Sequence, residues 1–262
     1  MMRSFVISAA AFFALGPAIW GADLAEMKRY EYGADQACLL AVERQVEDAM
    51  TDRARQKAMA ADLLGVMSDP AATPAAKQHA AIMLRICGTG AEVPALSAML
   101  GDAKVGDFAR GALERIPAPA AGEALRDALG RLGGAALVGA INSTANRHDR
   151  EAASALVRLT GSRDAAVAAA AEHALGRIGG PAAAPCLAKR AESGKDARSA
   201  RAYLDCGIAA LAEKDTRAAG AIFAALADGK YPAPVRRGAL TGQLLLSGDK
   251  GRLLHAWLAG ND

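Results

Sequence analysis

The sequence predicts an all-α protein, an α-solenoid of about six stacked helical hairpins. Three observations lead to this fold class. The chain of 262 residues is 52% hydrophobic but only 4% aromatic, and it is rich in alanine, the residue with the highest helix propensity. A helical phrase recurs at intervals of 28 to 36 residues. Short joints that contain glycine or proline separate the copies, as expected between helices.

The repeat is clearest where "EHALGRIGGPAAAPCL" (172–187) aligns with "AIMLRICGTGAEVPAL" (81–96). Between them, "RGALERIPAPAAGEAL" (110–125) gives the same phrase, and "GAINSTANRHDREAASAL" gives it with a longer polar joint. A hairpin of about 30 residues cannot bury its apolar face alone, so successive hairpins are expected to stack on one another. Weaker copies follow at "GIAALAEKDTRAAGAI" and "GALTGQLLLSGD". The anchor positions of the six copies are Met83, Ala112, Ala140, Ala174, Ala210 and Ala239.

Each copy is interpreted as two helices, the second of which carries an apolar stripe. Apolar residues in the copy around Ala174 recur at i, i+3, i+4, i+7, i+8 and i+11, which is typical of a helix with one buried face. We therefore expect six helical pairs over residues 52–262. An N-terminal segment with a capping helix, at about 34–50, is expected within residues 23–51. The stripe consists of Val167, Ala170, Ala171, Ala174, Leu175 and Ile178.

The first 22 residues have the layout of a secretory signal peptide. One positive charge precedes "FVISAAAFFALGPAIW", and small residues follow, so cleavage is expected after Gly21 or Ala22. The alternative is an uncleaved membrane anchor. Pro17 argues against it, as does an apolar stretch shorter than the roughly 20 residues of a spanning helix. The mature protein is therefore expected to be periplasmic or secreted, without a stable membrane span.

Three fragments carry a resemblance to a known family. "ALGRIGGPAAAPCL", "DREAASALVRL" and "MLRICGTGAEVPAL" resemble HEAT repeats, in particular the short bacterial PBS-lyase HEAT-like repeats, and the resemblance covers about residues 52–245. It implies an armadillo/HEAT-type α-α superhelix and the role that most such proteins have, that of an interaction scaffold.

The function expected from this resemblance is a non-enzymatic scaffold that binds a protein or peptide partner in the cell envelope. Two alternatives stay open. The PBS-lyase HEAT-like family includes factors that attach or detach bilin chromophores, although an export signal argues against that role. The chain could instead be the binding appendage of a larger exported enzyme.

The segment "GAINSTANRHD" (139–149) is unusually polar for this chain. In the repeat alignment, Thr144 takes the buried column of Ile178, whereas Asn142 shares with Gly176 a column that is expected to point away from the core. One interpretation is a solvated helix end, with Asp149 capping the next helix. The other is that Asn142, Asn146 and Arg147 project onto a ligand-facing ridge.

Charged residues recur on the second helices, which usually line the binding surface of a solenoid, although a charged helix face is often simply solvated. The charges are mixed and the net charge is only +3, so nucleic acid is not an expected partner. The candidate partner-binding residues are Arg110, Glu114, Asn142, Asn146, Arg147 and Arg177.

No catalytic residue, metal site or cofactor is predicted. The sequence contains no HExxH, GxSxG or glycine-rich phosphate loop. No two of the four histidines have the i, i+4 spacing that places two metal ligands on one helix face. His79 falls in the inward column of Phe108 and is expected in the core.

The four cysteines are treated as two pairs. Cys186 and Cys206 should lie on antiparallel helices, about equally far from the turn at 194–197, so a disulfide between them is expected in an exported protein. Cys38 and Cys87 should lie far apart along parallel helices, and no bond is expected between them. Cys87 also occupies a core column, as a small buried hydrophobe.

Overall fold

The computed structural model describes residues 21–193 and 197–248. Within these ranges, regular secondary structure consists of fourteen α-helices and one short 3-10 turn, with no strand. The all-α prediction is confirmed. Most of the proposed signal peptide, the centre of the turn near residue 195 and His255 lie outside the described residues.

The chain divides into two compact units, the first ending at Glu92 and the second beginning at Val93. The helices of the first unit are α1 (Gly21–Met27), α2 (Ala37–Ala49), α3 (Arg53–Ser68) and α4 (Pro74–Cys87). Those of the second unit are α5 (Val93–Met99), α6 (Gly106–Arg115), α7 (Pro119–Ala128), α8 (Gly134–Asn146), α9 (Ala153–Leu159), α10 (Ala165–Ile178), α11 (Ala183–Ser193), α12 (Ala197–Ala212), α13 (Thr216–Leu226) and α14 (Ala233–Leu246).

In the first unit, α3 and α4 form the hairpin predicted from the repeat, and α2 packs against both of its helices. α2 corresponds to the predicted capping helix, whereas α1 was not anticipated. The starts of α3 and α4 are fixed by side-chain caps: Asp52 accepts from the backbone N–H of Arg55 at 2.8 Å, and Thr73 accepts from that of Ala76 at 3.1 Å. Such caps satisfy amide groups that have no partner inside the helix.

The second unit consists of five hairpins: α5/α6, α7/α8, α9/α10, α11/α12 and α13/α14. The second helix of each hairpin packs on that of the next, so that α6, α8, α10, α12 and α14 form one continuous layer. α5 packs on α7 and α9 on α11 in the other layer. The unit is an all-α HEAT-type solenoid, as the sequence predicted.

The core follows the predicted stripe. The side chains of Ala112, Ala140 and Ala174 are 0% exposed, and Thr144 is equally buried in its expected column. Thr144 Oγ1 donates to the carbonyl oxygen of Ile141 at 2.8 Å, which satisfies a hydroxyl that would be costly to bury alone. Small residues at the anchor positions let neighbouring second helices pack closely.

One column departs from the prediction. Asn142 is exposed as expected, but Gly176, in the same column, is buried. A Cβ at residue 176 would lie only 2.5 Å from the carbonyl oxygen of Ala202. α10 and α12 therefore touch backbone to backbone, and this contact closes a face that is open to solvent at Asn142.

Two of the second helices end in Schellman motifs without glycine. After α8, the N–H of Asp149 donates to the carbonyl of Thr144 at 3.0 Å, and His148 has φ 51°. After α12, Lys214 has φ 63° and occupies the same left-handed position. Glycine is the usual residue there because it has no Cβ to strain. At α8 this backbone conformation places His148 just beyond the C-terminal end of the helix.

Candidate functional site

The six candidate partner-binding residues lie on three consecutive second helices of the second unit. Arg110 and Glu114 are on α6, Asn142 and Asn146 on α8, and Arg177 on α10, while Arg147 immediately follows α8. In the structure, four of them belong to one hydrogen-bonded chain. Arg147 instead donates to backbone carbonyl groups, and the Asn142 side chain is exposed.

The hydrogen-bonded chain begins between α6 and α8. The Arg110 Nη1 donates to Ser143 Oγ at 2.7 Å and to Glu114 Oε2 at 3.3 Å, and Ser143 Oγ donates to Glu114 Oε2 at 2.7 Å. Arg110 can lie across α8 because residue 139 is glycine. A Cβ there would lie 2.9 Å from Arg110 Nε. Ser143 is 0% exposed, so its hydroxyl is satisfied inside the protein.

The chain continues through Asn146 to α10. Its Nδ2 donates to Glu114 Oε1 at 3.0 Å, and its Oδ1 accepts from Arg177 Nη1 at 2.6 Å. The nitrogen and the oxygen of the Asn146 side-chain amide thus each have a partner, and this pattern fixes the orientation of the amide. Arg110, Glu114, Asn146 and Arg177 form what we call the polar chain, which crosses α6, α8 and α10.

Arg147 does not project from the surface as one interpretation of the sequence expected. Its Nη1 donates to the carbonyl oxygens of Leu113, Glu114 and Ile116 at 3.0, 3.1 and 2.7 Å, and its Nη2 donates to that of Ala118 at 3.4 Å. These carbonyls lie at the C-terminal end of α6 and just beyond it, where intrahelical donors run out. Burial lowers the pKa of Arg147. Its contacts identify it as a cap of α6.

Next to the polar chain, the second helices enclose a groove of about 580 Å³. His148 at the end of α8, together with two side chains of α10, forms one side, and α12 forms the rest. We call it the α10/α12 groove. The residues lining it are His148, His173, Arg177, Asp205, Ile208, Ala209, Ala212 and Glu213.

The charges in the α10/α12 groove are unevenly compensated. Asp205 accepts from Arg201 Nε at 3.0 Å, and Glu213 is paired with Arg150. Arg177, by contrast, has the neutral Asn146 as its hydrogen-bond partner and makes no ion pair with a carboxylate of the described residues. Among the residues that the structure describes, the groove therefore combines a cation without a counter-ion and two anions that each have one.

The α12 side of the groove is partly apolar. Ile208 on α12 is 48% exposed, and two alanines of the same helix lie beside it. A single exposed isoleucine is unremarkable on a protein surface. In a groove that is also lined by charged side chains, however, it provides apolar contact of the kind that predominates in ligand pockets.

The sequence interpretation identified one residue of this groove, Arg177, and missed the others. The repeat alignment contained a signal for them. His173 and Arg177 lie one position before and three positions after the anchor of α10, and Ala209 and Glu213 have the same offsets in α12. Positions four apart share a helix face, so these offsets mark one face through successive repeats.

A second, smaller cavity of about 280 Å³ lies where α10, α11 and α12 meet. The carboxylate of Glu172, a residue only 4% exposed, accepts from Arg190 Nε at 2.6 Å and from Ser199 Oγ at 2.7 Å. A buried carboxylate needs such partners. These contacts hold the three helices together.

The disulfide expected between Cys186 and Cys206 is not formed in the structure, in which all four cysteines are free thiols. Cys186 Sγ lies 3.8 Å from the Oγ1 of Thr160 at the end of α9. Cys206 is 1% exposed within the core. The Cys186 side chain thus lies beside the C-terminal end of α9. Cys87 is fully buried, as predicted.

The described residues include no group of three or more His, Cys, Asp or Glu side chains suited to a metal ion. Of the helices that the structure describes, none is both long enough and apolar enough to cross a membrane.

Comparison with known proteins supports the repeat assignment over part of the chain. Residues 134–204 match a family model described as HEAT repeats. The match runs from the start of α8 into α12 and so includes the α10 side of the groove. No curated protein matches the chain.

Proposed function

We propose that this protein is a non-enzymatic HEAT-repeat scaffold that binds a protein or peptide segment in the α10/α12 groove and acts in the cell envelope. The observation that carries the proposal is the groove itself. It lies on the second-helix layer, partly within the residues that match HEAT repeats, and it exposes both Ile208 and Arg177.

The size of the groove suits a short segment of a partner. Its volume of about 580 Å³ falls within the roughly 300–1,000 Å³ of pockets that enclose drug-sized ligands. A few side chains would fill such a space. Contacts with the rest of the partner would then lie outside the groove, along the exposed parts of α8 and α10.

Hydrogen bonds hold the Arg177 side chain of the groove in place before a partner binds. Asn146 holds the Arg177 guanidinium at 2.6 Å, and Glu114 holds Asn146 in turn. Side chains that are positioned before binding lose less conformational freedom when a partner arrives. The polar chain therefore acts as a support for the groove, a more limited role than the binding ridge that the sequence suggested.

Action in the cell envelope is inferred from the N-terminal sequence. The apolar run after Arg3 and the small residues at 21–22 are typical of a cleaved leader. Expression of the full chain with a C-terminal tag, followed by cell fractionation and intact-mass analysis, tests this part. A mature chain that begins at Ala22 or Asp23 in the periplasmic fraction is the expected result. An unprocessed cytoplasmic chain would contradict it.

Binding is tested by affinity capture from an envelope extract with Ile208→Ser and a matched Leu245→Ser variant. Both residues are exposed aliphatic side chains of second helices, at 48% and 64%, but residue 245 does not line the groove. A specific partner should be lost with Ile208→Ser and retained with Leu245→Ser. Equal retention by both variants, each confirmed as folded by circular dichroism, would exclude the groove as the binding site.

A further inference from the structure

We infer that the α10/α12 groove selects a peptide segment in which a single carboxylate lies next to an aliphatic side chain. This inference rests on the proposed function and specifies the chemistry of the partner.

Charge complementarity indicates that the bound segment carries a carboxylate. Arg177 lies in the groove without an ion-pair partner among the described residues, and its one hydrogen bond, to Asn146, uses Nη1. A guanidinium has five N–H donors in a rigid fork that fits a carboxylate. The donors of Arg177 that make no hydrogen bond to a described residue can therefore bind a carboxylate of the ligand. His148 and His173 lie on the same side and add further potential donors.

The opposite side of the groove indicates that an aliphatic side chain of the ligand lies next to this carboxylate. Ile208, Ala209 and Ala212 all belong to α12, and none of these side chains can form a hydrogen bond. Covering the exposed part of Ile208 removes apolar surface from water, which favours an aliphatic side chain over a polar one. The two recognition elements lie on adjacent helices, so one short segment can reach both.

The remaining charges limit the number of carboxylates to one. Asp205 and Glu213 also line the groove, and each is already paired with an arginine. A second carboxylate of the ligand would lie near these anions without a cation of its own, and like charges disfavour such a position. A run of acidic residues is therefore selected against.

A peptide array tests the inference with the full chain as the probe. The array carries octapeptides of randomised sequence, and bound protein is detected through a C-terminal tag. The wild type should enrich peptides with one Asp or Glu within three positions of Leu, Ile, Val or Met. Arg177→Gln should reduce binding to these peptides about five-fold, the range expected for one partly exposed charge-assisted hydrogen bond, and should abolish the acidic preference. Arg158→Gln, an exposed arginine on α9 outside the groove, is the matched control and should bind as the wild type does.

The Asp205→Asn variant keeps the inference testable if Arg177→Gln loses helicity. Removing this carboxylate should strengthen the preference for acidic peptides. Selected peptides without a carboxylate preference, or an unchanged preference in whichever groove variant is folded, would overturn the inference while the proposed function stands. No binding to any peptide, together with no partner in the capture experiment, would overturn both.

Discussion

The guanidinium of Arg147 donates a hydrogen bond of 2.7 Å to the carbonyl oxygen of Ile116, and so ties the end of α8 to the end of the preceding second helix. Further bonds to neighbouring carbonyls make this side chain a cap for a helix other than its own. One of the two interpretations of the sequence placed the same residue on a ligand-facing ridge.

Arg147→Ala should therefore reduce the free energy of unfolding by about 1–3 kcal/mol, since it leaves several carbonyl oxygens without donors. Urea unfolding followed by circular dichroism measures the change. Asn142→Ala, at an exposed position of α8 five residues earlier, is the control and should alter stability by less than about 0.5 kcal/mol. Equal stabilities for the two variants would mean that the Arg147 contacts contribute little.

Gly176 and Gly111 should respond in opposite directions to the same substitution. A Cβ at residue 176 would overlap the carbonyl of Ala202 at 2.5 Å, whereas a Cβ at residue 111 has nothing within 4 Å. Gly176→Ala should destabilise the protein by about 1–3 kcal/mol through overpacking. Gly111→Ala, in the interior of α6, should stabilise it by about 0.5–1 kcal/mol. Thermal unfolding of the two variants beside the wild type checks both signs, and a shift in the same direction would contradict the packing of α10 on α12.

The first unit should lose stability in mild acid because of His79. This side chain is 9% exposed, and its Nε2 lies 3.8 Å from Glu43 Oε1, too far for a hydrogen bond. Burial lowers the pKa of His79 below its ordinary value of 6.5, although nearby Glu43 opposes the shift. Between the lowered pKa of the folded state and 6.5, the unfolded chain therefore binds more protons at this site than the folded chain, and stability falls as the pH falls through this window.

His79→Gln should flatten this dependence. The contribution of one group is at most about 1.4 kcal/mol per pH unit, and urea unfolding at pH 7.5, 6.5 and 5.5 measures the slopes of wild type and variant. Parallel slopes would show that other groups control the response to acid.

The thiols should react in an order set by burial. Burial raises the pKa of Cys87 to about 12 and that of Cys206 to about 11, so both should remain protonated and unreactive in the native protein at pH 8. Cys186 is half-buried and should be alkylated first. Mass spectrometry of iodoacetamide-treated native and denatured protein should give four reactive thiols after denaturation without reductant. A count of two, with Cys186 and Cys206 protected, would instead establish the disulfide predicted from the sequence.

The sequence was sufficient to predict the helix layers because each depends on short-range spacing. The six hairpins follow from the repeated phrase, and Ala112, Ala140 and Ala174 are buried because one apolar stripe per helix determines which face turns inward. Even Thr144, a polar residue in an apolar column, was placed correctly. These assignments need only the helical period and the alignment of the copies.

The sequence was less informative where a result depends on how closely two helices approach or how far a long side chain reaches. The repeat alignment could not reveal that α10 and α12 touch at Gly176. It also could not show that Arg147 reaches the carbonyl of Ile116, because the rotamer of a long side chain is selected by the neighbouring repeat. The groove was missed because its residues come from three helices, and they are recognised as a set only when their offsets from the anchor positions are compared between repeats.

The bare backbone contact between Gly176 and Ala202 has a consequence for protein engineering. A repeat grafted after α10 must bring its backbone as close to residue 176 as Ala202 does, which excludes most sequences. The boundary between α6 and α8 is joined instead by the side chains of Arg110, Glu114 and Ser143, which a graft can supply. An added repeat should therefore be accepted between α6 and α8 and should disrupt the fold between α10 and α12.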